Sequence, residues 1–198
     1  MTMKLAICAI IAGLASPVAA QDWSGIYGGL SLSRTTGGVD QINAGVLESS
    51  FSYSGNQVGA FVGYGIQQGN LVYGGELSFG NGDISNNDVT PEENYLSGTL
   101  DLRGRVGYAT GNLLVYGALG WSKADVNFAG VAAADEPLSA SGLSYGLGVD
   151  MHINDRMFVG AEVQRRNLDM SEGDIPGFPT YSEDFGLTSV NLRLGMKF

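Results

Sequence analysis

Val190-Asn191-Leu192-Arg193-Leu194-Gly195-Met196-Lys197-Phe198 closes the chain, and its reading decides the fold. Every second residue is apolar: Val190, Leu192, Leu194, Met196 and Phe198. Between them stand Asn191, Arg193, Gly195 and Lys197. A period of two is the mark of a strand whose two faces meet different surroundings. Either a soluble sheet or a sheet against lipid produces that pattern, so the rest of the chain has to discriminate.

Seven more segments alternate in the same way. They are about Gly25 to Ser33, Gln57 to Ile66, Leu71 to Gly80, Tyr95 to Tyr108, Leu113 to Lys123, Ser141 to His152 and Met157 to Arg166. In the fourth, Leu96, Leu100, Leu102, Val106 and Tyr108 oppose Thr99, Asp101, Arg103 and Arg105. The fifth is ambiguous in phase; Val115, Leu119 and Trp121 are placed on its apolar face. Three connections are tight and carry Gly, Asn or Asp: Gln67 to Asn70, Ala109 to Asn112, and Ile153 to Arg156. The other four, about 34–56, 81–94, 124–140 and 167–186, are long and hold most of the acids. Tight and long connections therefore alternate. An even number of antiparallel strands with tight turns at one end and long loops at the other predicts an all-β, eight-stranded, antiparallel, up-and-down transmembrane β-barrel.

The non-apolar faces say which side is wet. They carry mostly Gly, Ser and Thr, whereas the surface of a soluble barrel would carry many Lys, Glu and Gln. Small residues suit the crowded inside of a narrow barrel. The inward charges are Glu76, Asp101, Asp150 and Glu162 against Arg103, Arg105, Arg166, Arg193 and Lys197, nearly balanced although the chain as a whole carries −10. They predict a salt-bridge network filling the lumen, together with Tyr27, Phe61 and Tyr116. On the lipid side Tyr64, Tyr73 and Tyr108 fall near the tight turns, Phe79 and Trp121 near the long loops, as two aromatic girdles. Lys123 and Arg165 also fall in the outward phase, at strand ends by the long loops, where lipopolysaccharide phosphates are within reach.

Residues 1–20 read as a cleaved signal peptide: Lys4, a short apolar run from Leu5 to Leu14, and small residues Val18-Ala19-Ala20 before the cut. Residues 21–198 form the single barrel domain. The one cysteine, Cys8, leaves with the signal, which excludes disulfides and thiol-based metal sites. Gly numbers 31 and 44% of the chain is hydrophobic, a composition too apolar for disorder. The acidic balance gives no reason to bind nucleic acid. No cofactor is implied. His152, the only histidine, is read as polar packing near a turn and not as a catalytic group. The loop acids Asp83, Asp88, Glu92, Glu93, Asp135, Glu136, Asp169, Glu172, Asp174, Glu183 and Asp184 lack the regular spacing of a calcium site; a solvated acidic surface is expected.

Several runs resemble the small OmpA-like, porin-family outer-membrane barrels, close to the opacity-like surface antigens of alphaproteobacteria. They are Trp23-Ser24-Gly25-Ile26-Tyr27-Gly28-Gly29-Leu30, Val58-Gly59-Ala60-Phe61-Val62-Gly63-Tyr64, Val72-Tyr73-Gly74-Gly75-Glu76, Leu102-Arg103-Gly104-Arg105-Val106-Gly107-Tyr108 and Leu194-Gly195-Met196-Lys197-Phe198. Val163-Gln164-Arg165 departs, because that family usually has an aromatic after the Glu. The resemblance implies a Gram-negative outer-membrane location, both termini periplasmic, and a structural or surface role without enzyme activity. It also implies contact with outer-membrane lipids and lipopolysaccharide, and biogenesis through periplasmic chaperones and the barrel-assembly machinery. Val190, Leu192, Leu194, Met196 and Phe198 then resemble the signal that this machinery reads. A narrow channel for small solutes and an adhesin acting through the loops are the alternative expectations.

Overall fold

A computed structural model describes residues 21–86, 94–128, 138–170 and 181–198. Eight strands follow one another: β1 (Gly25–Asn43), β2 (Val46–Gln68), β3 (Leu71–Asn86), β4 (Asn94–Thr110), β5 (Leu113–Phe128), β6 (Leu138–His152), β7 (Met157–Met170) and β8 (Tyr181–Lys197). Each pairs antiparallel with the next, and β8 pairs with β1, so the sheet closes into a barrel. Leu30 faces Leu194 and Leu32 faces Leu192 across the closing seam. A closed sheet satisfies every strand's backbone groups without water, which is the requirement for spanning lipid. No helix among the described residues is long and apolar enough to cross a membrane.

The tight turns follow their sequence. Gly69 and Gly111 adopt φ of 63° and 56°, which glycine accepts without a steric cost. At the third, the Asn154 side chain accepts hydrogen bonds from the Arg156 and Met157 N–H groups. The fifth strand has the expected phase: Val115, Leu119 and Trp121 face out and Tyr116 faces in.

The opposite ends of the strands differ from expectation. Residues 34–56, read as a long loop, continue β1 and β2 and close in a two-residue turn, Ala44–Gly45, with φ of 48° and 80°. Positive φ at both positions is the turn that matches strand twist. Asp83, Asp169, Glu183 and Asp184 likewise lie on strands. Asp88, Glu92, Glu93, Asp135, Glu136, Glu172 and Asp174 lie outside the described residues, as does the signal segment 1–20.

The reason is a change of code partway up the wall. On the lower part, large apolar side chains point outward and are exposed, with Leu147 at 73%. The last of them going up are Leu32, Val58, Phe79, Leu100, Trp121, Leu143, Val163 and Val190. The next outward residue on each strand is Arg34, Asn56, Asn81, Gly98, Lys123, Ser141, Arg165 or Thr188. Above that level, apart from Val46 and Leu47 at the β1–β2 tip, large apolar residues point inward instead: Val39, Tyr53, Ile84, Leu96, Val126, Leu168, Met170, Phe185 and Leu187 form one buried cluster. An exposed apolar band of this extent has no place in water, so the lower part is the lipid-facing part. The upper part is a collar built like a soluble barrel.

Leu96 corrects the sequence reading of the fourth strand. Alternation alone predicts it outward with Leu100 and Leu102, yet it is fully buried inside. The pairing register shifts between Leu96 and Thr99 against β5, and between Asn81 and Ile84 against β3. One extra residue at Ser97-Gly98 is a β-bulge, and a bulge reverses the phase of everything beyond it.

Candidate functional site

The lumen of the lipid-facing part is filled in layers. Nearest the tight turns lies an apolar layer of Trp23, Tyr27, Phe61, Val72, Ala109, Leu114, Tyr116 and Phe158. The strand register makes room for its rings. Tyr27, Phe61, Tyr116 and Phe158 stand directly opposite Gly63, Gly29, Gly148 and Gly195 on the neighbouring strand. A Cβ at any of those glycines would collide with the ring.

Above it comes a layer of ions. Glu76 is the hub: it accepts from Arg103 at 3.0 Å, Arg105 at 2.8 Å, Arg193 at 2.5 Å and the Tyr27 hydroxyl at 3.1 Å. Glu162 accepts from Arg103 at 2.6 Å and the Tyr116 hydroxyl at 3.0 Å. Asp150 accepts from Arg105 at 2.6 Å. Asp101 takes both arms of Arg166, at 2.9 and 2.8 Å, with Gln164 at 3.1 Å and the Ser78 and Ser122 hydroxyls. The Arg105 guanidinium lies 3.7 Å from the Tyr116 ring centre and that of Arg193 lies 4.1 Å from that of Phe61. Gly160, between Asp150 and Arg193 in the ladder, leaves the space that the Asp150 carboxylate occupies.

Glu76, Asp101, Asp150, Glu162, Arg103, Arg105, Arg166 and Arg193 are all buried. Desolvating an ion costs several kcal/mol, which only a complete set of partners offsets. With four carboxylates facing four guanidiniums, the layer is neutral. Two cavities of about 30 Å³ flank it, each large enough for about one water.

Lys197, assigned to this network by phase, is not part of it. Its strand position is inward, but it sits at the barrel mouth, one residue from the chain end. There its ammonium meets the Asp22 carbonyl and lies 3.7 Å from the Asp22 carboxylate. The Ser24 backbone N–H, with smaller help from Lys197, holds the Asp22 carboxyl below its ordinary range. Sequence reasoning in turn missed Gln164 and Asn191, which bridge the acids. Both were inward by phase, but a search confined to charges passes over amides.

The outer wall carries the remaining sequence-assigned residues. Tyr64, Tyr108, Phe79 and Trp121 are exposed and Tyr73 is half-buried. Val190, Leu192, Leu194 and Met196 face out, and Phe198 is 77% exposed while its N–H donates to the Ile26 carbonyl. Arg34, Lys123 and Arg165 mark the upper limit of the apolar band. No Lys, Arg or His occurs in 35–56, 82–98, 124–140 or 167–188, so the chain beyond that limit is purely acidic.

His152 is buried at the tight-turn end, its ring 4.0 Å from that of Trp23. Its ring neighbours there are the aromatic side chains of Trp23 and Phe158. Among the described residues no group of His, Cys, Asp and Glu is arranged to hold a metal.

Residues 5–198 match the family model described as the outer membrane protein beta-barrel domain. A 22 kDa outer membrane protein of Rhizobium leguminosarum bv. viciae is 29% identical over 181 residues, covering 90% of this chain and 80% of that protein. Among solved structures, OprG of Pseudomonas aeruginosa superposes with a TM-score of 0.56 at 16% identity, over 90% of this chain and 99% of that one. The attachment invasion locus protein of Yersinia pestis gives 0.50 at 11% identity, over 88% and 99%. At such identities the two structures share the fold alone.

Proposed function

We propose, from the premise that this chain belongs to the outer membrane protein beta-barrel domain family, that it is a non-enzymatic barrel with a structural role in the Gram-negative outer membrane. Its tight turns and both termini face the periplasm, and its acidic collar faces outward, following the plan of short periplasmic turns and longer outer extensions. Phe198 completes the terminal signal read by the assembly machinery.

The observation that carries this reading is the side-chain filling of the lumen from mouth to collar. The aromatic layer, the ion layer and the collar core leave cavities of about 30 Å³ around the ions. A pore for solutes needs a continuous path, and a hydrated ion is larger than either cavity. Planar-bilayer recording of the purified protein tests this. The expected record has no stable conductance steps; large steps at neutral pH would make it a channel.

One observation favours a second reading, a surface-interaction protein. Val46 and Leu47 stand exposed, at 66% and 59%, beside the turn at the tip of the β1–β2 hairpin. A host- or surface-binding assay with V46S/L47S separates the two, since a purely structural barrel would lose nothing.

A further inference from the structure

Among the described residues Glu183 is the only carboxyl buried in the collar. It points inward from β8, with Gln41 of β1 on one side and Met170 of β7 on the other, one inward position above Phe185 and the collar core. Its Oε1 accepts from the Gln41 amide at 2.7 Å. Its Oε2 is buried and, among the described residues, has no hydrogen-bond partner. Every buried acid of the ion layer, by contrast, faces a guanidinium.

No cation of the chain is placed to neutralise it. The segments that build and connect the collar, 35–56, 82–98, 124–140 and 167–188, hold no Lys, Arg or His. Arg166, the inward cation of the neighbouring strand, stands opposite Leu187, four residues lower and about 13 Å along the sheet. Both arms of its fork are taken by Asp101. The groups that face Glu183 are Gln41 of β1, Tyr53 of β2 and Met170 of β7. Burial first, and then Glu183, push the Tyr53 hydroxyl up to about 12, so it is uncharged. Asp40, Asp169 and Asp184 stand on the outward side and offer only like charge. Burial raises the Glu183 carboxyl above its ordinary range, and the Gln41 amide offsets this only in part. An unpaired ion in apolar surroundings either sheds its charge or moves to water. A neutral carboxyl fits this place without a counter-ion.

We propose that Glu183 is a proton-operated latch of the collar. Protonated, it stays in the core and the β7–β8–β1 corner is shut. Ionised, it turns to water, and that corner comes apart and uncovers Phe185, Met170 and Val39. An acid that is harder to ionise in the shut state favours that state increasingly as pH falls through the raised value toward the ordinary glutamate value of about 4.3. The ion layer below keeps its partners in both states, so the lumen stays filled while the collar opens. The latch works whichever side of the membrane the collar faces.

Hydrogen exchange read by mass spectrometry on the whole barrel in lipid nanodiscs tests this. Exchange is compared between mildly acidic and mildly alkaline buffer, after correction for the intrinsic effect of pH on the exchange rate. In wild type, 39–43 and 183–187 should exchange at least tenfold faster in the alkaline buffer, while 102–106 in the band stays protected in both. Glu183→Gln has the same shape and is permanently neutral, so the corner should stay protected in both buffers. Glu183→Leu should behave in the same way, and it serves as the test if the first variant does not fold. Asp184→Asn, on the outward side, should remove only the smaller share of the change. Equal protection of the wild-type corner in both buffers would overturn the proposal, and so would a tenfold change that persists in Glu183→Gln or Glu183→Leu. Fast exchange of these variants in both buffers would reduce Glu183 to an acceptor for Gln41 and overturn it as well. Loss of the whole change in Asp184→Asn would move the effect to the outward row and have the same consequence.

Discussion

The lipid-facing band and the collar are built from the same eight strands, yet they use opposite codes. In the band, Leu147 and Leu192 face out while Glu76 and Arg193 face in. In the collar, Leu168 and Phe185 face in while Asp169 and Asp184 face out. No strand breaks at the boundary. The chain marks the water level by exchanging which face is apolar, in one circuit running through Arg34, Lys123 and Arg165. The two regions therefore fail in different ways. The band is vulnerable to a lost partner inside and a gained charge outside; the collar is vulnerable to the reverse.

The largest effect is expected inside the band. Glu76→Ala leaves Arg103, Arg105 and Arg193 without their shared carboxylate, and breaking one buried pair already costs about 3–5 kcal/mol. The measurement is the urea midpoint of the folded band in unheated electrophoresis. A midpoint equal to wild type would mean the ions are solvated and the lumen is wet. Swapping the pair Glu76 and Arg103 by double substitution should recover only part of the loss, because Arg105 and Arg193 would then meet a cation.

The next comparison uses the outward positions. Leu147→Arg, in the middle of the band, should cost about 2–4 kcal/mol. Asp125→Arg, outward on β5 in the collar, should change stability by no more than about 0.5 kcal/mol. Folding titrations into lipid vesicles read both. Similar costs would erase the distinction between the two regions.

That distinction also explains what was legible in the sequence. The lower strand ends, the tight turns and the ion layer were readable because one rule, apolar out and polar in, holds from Leu71 to Phe79 or from Val190 to Phe198. The same rule applied above Arg34 meets Thr35-Thr36-Gly37-Gly38-Val39-Asp40, finds its outward positions polar, and reads a loop. The residues are strand-forming; the expected surroundings were wrong. Leu96 was misplaced for a second reason, since a bulge is visible only through the partner strands. The ring-to-glycine pairs, such as Tyr116 with Gly148, required the register, which no single segment contains. Lys197 had the right phase and the wrong depth, because alternation assigns a face and leaves the distance from the mouth open.

The smallest effect is expected at the collar rim, where Asp184 stands directly opposite Asp40 on β1 and Asp169 on β7. Burial first, and then these two like charges, raise its carboxyl above the ordinary range. A raised acid is more readily protonated in the folded state than in the unfolded one. This row therefore opposes folding when ionised, and the collar gains stability as pH falls through the raised value. The group is largely in water, so the gain is small. Asp184→Asn should make the collar slightly more stable at neutral pH and flatten its acid response, while the band is unchanged. Hydrogen exchange at the β7–β8–β1 rim, compared between neutral and mildly acidic solution, reads the difference. If the variant keeps the wild-type pH dependence, the row of three aspartates is uncoupled, and the collar's exterior behaves as independent solvated charges.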